Sequence, residues 1–251
     1  MRRKLFASRS AAREAIAAGD VDVGGVPVPK PATLVDETTS LRLRGPAKRF
    51  VSRGGLKLEA ALAAFAIDVS DRRAIDVGAS TGGFTDCLLA SGAATVVAVD
   101  VGYGQLAWSL RNDPRVTVIE RTNFRHADPA ALGGPFDVVV ADLSFISLQT
   151  VAAQLAAVGT AGTDYVLLVK PQFEVGKDDV GKGGIVKDAA LHARAISGAA
   201  EALARHGVGT VGAVASPVTG AKGNREFLIW ARRGPGAIGP KEIEEVTKQW
   251  S

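Results

Sequence analysis

The sequence predicts an α/β protein: a doubly wound, mainly parallel sheet of seven strands, one of them reversed, behind a small α+β module. Three observations carry this reading. From residue 54 onward, short Val/Ile/Leu-rich segments alternate with helical patterns, as expected of strands buried on both faces. The last two strand segments are joined by the loop 216–225, which is too short for a crossover helix, so they must run antiparallel. The N-terminal segment differs from the rest in both charge and patterning.

Taken in order, residues 8–18 (SRSAAREAIAA) place Ala12, Ala15, Ile16 and Ala18 on one helical face. Ser8 or Ser10 supplies the N-cap, and Gly19 or Asp20 ends the helix. Short strands are expected at 21–23, at 26–28 beyond a Gly24-Gly25 turn, and at 41–43. Gly45-Pro46 marks a boundary. The expected organisation is a module over 1–46, a linker over 47–53 and a large α/β domain over 54–251. In that domain a helix at 54–66 precedes strands at 74–77, 95–100, 116–119, 137–142, 165–170, 208–215 and 226–231. Helices fill the gaps near 84–91, 105–111, 147–158 and 189–206.

Composition narrows the class. With 47% hydrophobic and 22% charged residues in 251, the chain can build a sizeable core. The single Cys87 excludes a disulfide framework, and His126, His192 and His206 are scattered, so no metal site is expected. Cys87 reads as a small core residue. No signal peptide follows the basic start, and the longest uncharged run, 143–163, holds seven Ser, Thr or Gln residues, which argues against a membrane span. A soluble, cytoplasmic protein is expected. Residues 1–57 hold 12 Lys/Arg and 5 Asp/Glu, a balance of +7, whereas the remainder holds 18 and 21, a balance of −3. Charge segregated in this way favours a polyanion such as RNA. Candidate phosphate contacts are Arg2, Arg3, Lys4, Arg9, Arg13, Arg42, Arg44, Lys48, Arg49 and Arg53.

Asp76-Val77-Gly78-Ala79-Ser80-Thr81-Gly82-Gly83-Phe84 ends the first strand of the sheet and opens a helix. Its glycines suit a sharp turn that lets backbone approach a ligand. Asp100 ends the next strand, where a carboxylate can accept both ribose hydroxyls of an adenosine; Val101 and Tyr103 follow it, Tyr103 placed to pack on the adenine. Dinucleotides favour Gly-x-Gly-x-x-Gly, which holds a pyrophosphate. Here the pattern is Asp-x-Gly-x-x-x-Gly-Gly, and Asp76 suits the ammonium of S-adenosyl-L-methionine instead. Seven strands with the last reversed is the layout of Rossmann-like class I methyltransferases.

Open α/β sheets bind ligands at the carboxyl ends of their parallel strands. Asp142 and Lys170 end two strands, Glu226 begins the reversed one on the same edge, and Lys57 stands near the start of the helix before the first strand. A helix dipole disfavours a cation at that place. Asp142 is also a candidate cofactor contact. Two lysines and two carboxylates on one rim suit a ribose 2′-hydroxyl, a poor nucleophile that a lysine among other charges can orient or deprotonate.

The order Lys57, Asp142, Lys170, Glu226 resembles the Lys-Asp-Lys-Glu tetrad of FtsJ-type ribose 2′-O-methyltransferases. VSRGGLKL (51–58), DVGASTGGFTD (76–86), DVGYGQLAWSLRNDPRV (100–116), ADLSFISL (141–148), VKPQFEVGK (169–177) and GNREFLIW (223–230) look like the TlyA (hemolysin A) branch. The resemblance covers nearly the whole chain and implies 2′-O-methylation of ribosomal RNA cytidines; ribosomal RNA and ribosomal subunits are the expected partners, and a monomer is expected. It also implies an N-terminal RNA-binding module like that of ribosomal protein S4, with SRSAAREAIAAGDVDVGG as its match. Such modules usually begin with a further helix, so a shortened module is expected. Lys48-Arg49-Phe50-Val51 stands where the family often has Arg-Ala-Trp-Val.

Three other functions compete. A base-amino methyltransferase would carry a polar-Pro-Pro-aromatic turn where this chain has Asp142-Leu143-Ser144-Phe145. Methylation at cytosine carbon needs a cysteine nucleophile, and none lies near this loop. A non-enzymatic RNA-binding or hemolysin-like protein would need neither the cofactor loop nor the tetrad, and no segment pairs a strong apolar face with a lysine-rich one.

Overall fold

The computed structural model describes residues 5–6, 8–17, 20–27, 30–36, 38–43, 49–220 and 222–248. It divides into two compact units, Met1–Arg49 and Phe50–Ser251. In the first, helix α1 (Arg9–Ala17) is followed by strands β1 (Val21–Val23), β2 (Val26–Pro27) and β3 (Leu41–Leu43), paired antiparallel in the order β2-β1-β3. Gly24 and Gly25 join β1 to β2 with φ of 57° and 89°, the doubly left-handed turn that matches the twist of a tight hairpin. Ala15 and Val21 form the small core, with Phe6, Ile16 and Val23 against them. Of the candidate phosphate contacts, Arg9, Arg13, Arg42, Arg49 and Arg53 are exposed, while Arg2, Arg3, Lys4, Arg44 and Lys48 lie outside the described residues.

The second unit runs α2 (Gly54–Ala64), β4 (Arg73–Val77), α3 (Gly83–Ala90), β5 (Thr95–Val99), α4 (Trp108–Arg111), β6 (Val116–Ile119) and β7 (Phe136–Ala141). It continues with α5 (Leu148–Ala157), β8 (Gly159–Val169), α6 (Pro171–Glu174), α7 (Ala189–Ala204), β9 (Val208–Ala215), β10 (Phe227–Arg233) and α8 (Pro240–Lys248). The sheet order is β6-β5-β4-β7-β8-β10-β9, with β10 antiparallel to both β8 and β9 and the other pairs parallel. This is the expected Rossmann-like layout.

Both faces of the sheet are covered, because alternate residues of each central strand feed different cores. Val138, Val140, Val166 and Leu168 join Leu58, Leu62 and Leu88 on the α2–α3 side. Val139, Ala141, Tyr165 and Leu167 join Leu155 and Ile196 on the α5–α7 side.

Some boundaries differ from expectation. Strand β8 starts at Gly159, not near 165, because the polar stretch GTAGTD is carried into the sheet by its neighbour, with Phe136 paired to Gly159. The helix expected at 105–111 is confined to Trp108–Arg111. Helix α8 was not anticipated, although Ile243, Val246 and Thr247 are its buried face. Phe50 is buried in the α2–α3 core and the Val51 amide donates to Asp86 Oδ2 at 2.7 Å, so the residues just before α2 pack with the larger unit.

Leu155 lies fully buried between α5 and the sheet. Leu155→Ala is expected to cost about 2–5 kcal/mol through lost burial and a residual cavity. Urea unfolding should show a lower midpoint with an unchanged slope. An unshifted midpoint would contradict this packing.

Candidate active site

Strand β4 ends at Val77, and the chain turns sharply through Gly78 (φ 86°), Ser80 (φ 49°) and Gly82 (φ 97°) before α3. The amides of Gly78 and Ala79 both donate to Val99 O, at 2.8 and 3.1 Å, which folds the turn back over the end of β5. Sequence reasoning assigned these glycines to ligand approach. The structure adds a stronger demand from the protein itself. A Cβ on Gly78 would lie 2.8 Å from Asp142 O; one on Gly82 would collide with Leu106 and Leu110, and one on Gly83 with Ser52.

Asp100 follows β5 and accepts hydrogen bonds from Ser80 N (2.7 Å) and Gly102 N (2.6 Å). Its carboxylate therefore stands preoriented between two loops, at a pocket lined by Ala79, Ser80, Gly102, Gln105, Leu106 and Glu120 among others. Gln105, Leu106 and Glu120 were not foreseen. The strand-end rule that found Asp100 applies equally to Glu120, which follows β6 and accepts from Gly104 N at 2.8 Å.

Other expected cofactor contacts lie outside the lining of this pocket. Phe84 is buried in the α2–α3 core, because its place at the start of α3 faces α2. Tyr103 is 67% exposed and carries the Arg121 guanidinium 4.2 Å from its ring centre, and Val101 is exposed beside it. Neither lines the pocket. Thr81 is exposed, its carbonyl accepting from Ala107 N at 3.2 Å.

Asp76 is fully buried beneath α3. Its Oδ2 accepts from Thr85 N (2.9 Å) and Thr85 Oγ1 (2.7 Å), whereas Oδ1 has no hydrogen-bond partner. Burial pushes its carboxyl from the ordinary 3.8 up to about 7, against the pull of the Thr85 hydroxyl and with a smaller push from Asp142. A buried carboxylate with one unmet oxygen has a place for a cationic donor.

The four charges read from the sequence come together. Lys57 Nζ donates to Glu226 Oε2 at 2.5 Å and lies 3.9 Å from Asp142 Oδ2. Lys170 Nζ lies 2.5 Å from Asp142 Oδ1 and donates to Ser144 Oγ at 3.0 Å. Asp142 thus stands between two ammonium groups, and its own amide donates to Val77 O beside the glycine turn that follows β4. Ser144 and Phe145 had no assigned role. Phe145 is 91% exposed with φ of 66°, its ring against Phe173. Among the described residues, no group of His, Cys, Asp or Glu could hold a metal ion, and no helix is long and apolar enough to cross a membrane.

Residues 50–233 match the FtsJ-like methyltransferase family. The chain belongs to that family. Among its relatives is the 16S/23S rRNA (cytidine-2′-O)-methyltransferase TlyA of Mycobacterium tuberculosis, 53% identical over 98% of this chain and 92% of the relative. Hemolysin A of Brachyspira hyodysenteriae is 41% identical over 88% of this chain and 92% of its own length. The solved structure of a protein named as a hemolysin from Streptococcus thermophilus superposes with a TM-score of 0.82 at 42% identity, covering 99% of this chain and 92% of that one. The match begins at Phe50, where the larger unit of this FtsJ-like methyltransferase also begins.

Asp76 gives this site a pH signature. Its folded value lies above its unfolded one, so the folded state favours the protonated carboxyl. That contribution to stability is fully present below about pH 4 and is lost as pH rises towards about 7. Asp76→Asn removes the titration. Between about pH 5 and about pH 8 the wild type should lose roughly 2–3 kcal/mol relative to this variant. Urea unfolding of both proteins at the two pH values measures the difference, and a gap independent of pH would contradict the assignment.

Proposed function

We propose that this chain is an S-adenosylmethionine-dependent 2′-O-methyltransferase acting on the ribose of ribosomal RNA, with cytidines as its targets. The observation that carries the reading is Asp142 between Lys57 and Lys170, its carbonyl 2.8 Å from where a Cβ on Gly78 would be. Acceptor chemistry and cofactor loop are thereby in contact. The TlyA relative, named for cytidine-2′-O-methylation, supports the same conclusion.

The residues present fit the cofactor. Asp100, held by two backbone amides, retains lone pairs for the two ribose hydroxyls of its adenosine. The unpartnered Oδ1 of Asp76 suits its ammonium, directly or through water. When bound, S-adenosylmethionine supplies an electrophilic methyl group on a sulfonium. The protein's part is to hold a weak nucleophile in line with it. Lys170, steadied by Asp142 and Ser144, donates to the 2′-oxygen and fixes its lone pair. The hydroxyl proton becomes strongly acidic as the oxygen gains its new bond, and the Asp142 carboxylate is the acceptor within reach of both lysines. Glu226, almost fully buried, accepts from the Lys57 ammonium and holds it facing Asp142.

Residues 1–46 act in this reading as an S4-like module that grips RNA phosphates, and the exposed Arg9, Arg13 and Arg42 suit that task. The enzyme works as a monomer on ribosomal subunits in the cytoplasm, where its substrate is. Methylation of a base amino group is disfavoured by the absence of prolines in Asp142-Leu143-Ser144-Phe145.

Digestion of treated ribosomal RNA to nucleosides, followed by mass spectrometry, tests the chemistry. The expected product is 2′-O-methylcytidine, and a base-methylated nucleoside would overturn the reading. Lys57→Ala and Lys170→Ala should each lower turnover by about 10²–10⁴-fold with cofactor affinity nearly intact. Asp100→Ala should instead weaken S-adenosylmethionine binding by roughly 1.5–3 kcal/mol in calorimetry.

Deleting residues 1–46 should cost most RNA affinity and flatten its dependence on salt, because fewer phosphates are neutralised. Filter binding across a salt series measures this. An unchanged slope would transfer the RNA grip to the larger unit.

A further inference from the structure

Asp142 and Lys170 directly follow two neighbouring strands; residues 142–147 lead from the first to α5, and the single-turn helix α6 follows the second. These two segments are joined at several points. Lys170 Nζ donates to Ser144 Oγ at 3.0 Å, and the Phe145 and Phe173 rings meet with centres 5.3 Å apart. Farthest from the ion pair, Glu174 Oε1 accepts the Leu148 amide at 2.7 Å, and Glu174 Oε2 accepts from Gln149 Nε2 at 3.2 Å. Leu148 is the first residue of α5, whose first turn contains no acidic residue of its own. Glu174 supplies the missing negative charge from the other segment, where the unpaired amides and the helix dipole favour it.

The result is a closed ring of chain. It runs from Asp142 to Leu148, crosses to Glu174, returns to Lys170, and closes through the Lys170–Asp142 ion pair. A ring of two short segments with a charge-assisted bond at its far end leaves little freedom at its near end. We propose that Glu174 is a positioning residue for methyl transfer: through the Leu148 amide it sets the separation and orientation of Asp142 and Lys170. This inference rests on the 2′-O-methyltransferase reading above. Glu174 does not touch the reacting atoms, so its influence should appear in turnover and not in binding. Burial raises its carboxyl above the ordinary range while the Leu148 and Gln149 hydrogen bonds oppose that rise, as expected of a carboxylate held for its contacts.

The full-length protein and its Glu174→Ala, Glu174→Gln and Glu174→Asp variants are compared using labelled S-adenosylmethionine and unmodified ribosomal subunits. For Glu174→Ala, kcat should fall about tenfold, since small displacements of catalytic groups are costly. Its KM for the subunits and its calorimetric affinity for S-adenosylmethionine should stay within about twofold of wild type. Glu174→Gln should restore most of kcat, because its amide oxygen can still accept from Leu148. Glu174→Asp, one methylene short of that amide, should not. Wild-type kcat in Glu174→Ala overturns the inference, and so does a joint loss of kcat and cofactor affinity. Should Glu174→Ala fail to fold, Glu174→Asp decides: reduced kcat with intact cofactor binding supports the ring, and wild-type kcat overturns it. A wild-type protein that methylates no ribosomal particle removes the functional reading itself. An active wild type with an unaffected variant removes only the role of Glu174.

Discussion

Glu226, Lys57, Asp142 and Lys170 form an alternating chain of acid and base in which each charge is neutralised by its neighbour. The four side chains come from a strand start, a helix and two strand ends, so the chain ties together elements far apart in sequence. Glu226 and the two lysines are nearly buried. Removing one member of such a set leaves an uncompensated charge, typically at a cost of about 3–5 kcal/mol. The arrangement is better understood as specifying geometry than as adding stability, since taking four charges out of water is itself costly. It needs β10 to be reversed, because only then does the start of that strand lie on the edge where the parallel strands end.

The position of Lys57 depends in turn on how closely α2 approaches α3. Gly83 makes that approach possible, since a side chain on it would collide with Ser52 and the Gly55 amide, and Gly55 leaves room for the Phe50 ring packed beside α2. The Val51 amide bonded to Asp86 fixes the same segment to α3. The glycine turn, the helix contact and the placement of Lys57 are therefore one packing problem.

The opposite edge of the sheet has a different character. Asp164 is almost fully buried, accepts from Arg72, Trp230 and Arg232, and joins β8 to β10 and to the segment before β4. Burial raises its carboxyl, but the bonds from Arg232, Arg72 and Trp230 outweigh this and hold it below the ordinary value. Its hydrogen-bonding capacity is used within the protein, whereas Asp76 on the functional side keeps an oxygen unmet. That contrast separates a structural carboxylate from one suited to a ligand.

The alternation of β-branched strands and amphipathic helices determined the sheet, and the short 216–225 loop determined that its last pair is antiparallel. These are local consequences of side-chain period and chain length. The tetrad was also legible, because residues at strand ends must share one edge. The sequence did not show that β10 inserts between β8 and β9, nor that β8 begins among polar residues, since both depend on pairing partners distant in the chain. It pointed to Phe84 and Tyr103 as cofactor contacts, and did not show that Phe84 packs against α2 or that the Arg121 guanidinium lies over the Tyr103 ring. Glu174 and Ser144 had no signal, because a carboxylate that caps another segment's helix looks like any surface acid until the two segments meet. Sequence determined which residues carry charge and which faces are apolar. Tertiary structure alone decided which charges neutralise one another, because Coulomb pairing acts through space and is blind to sequence separation.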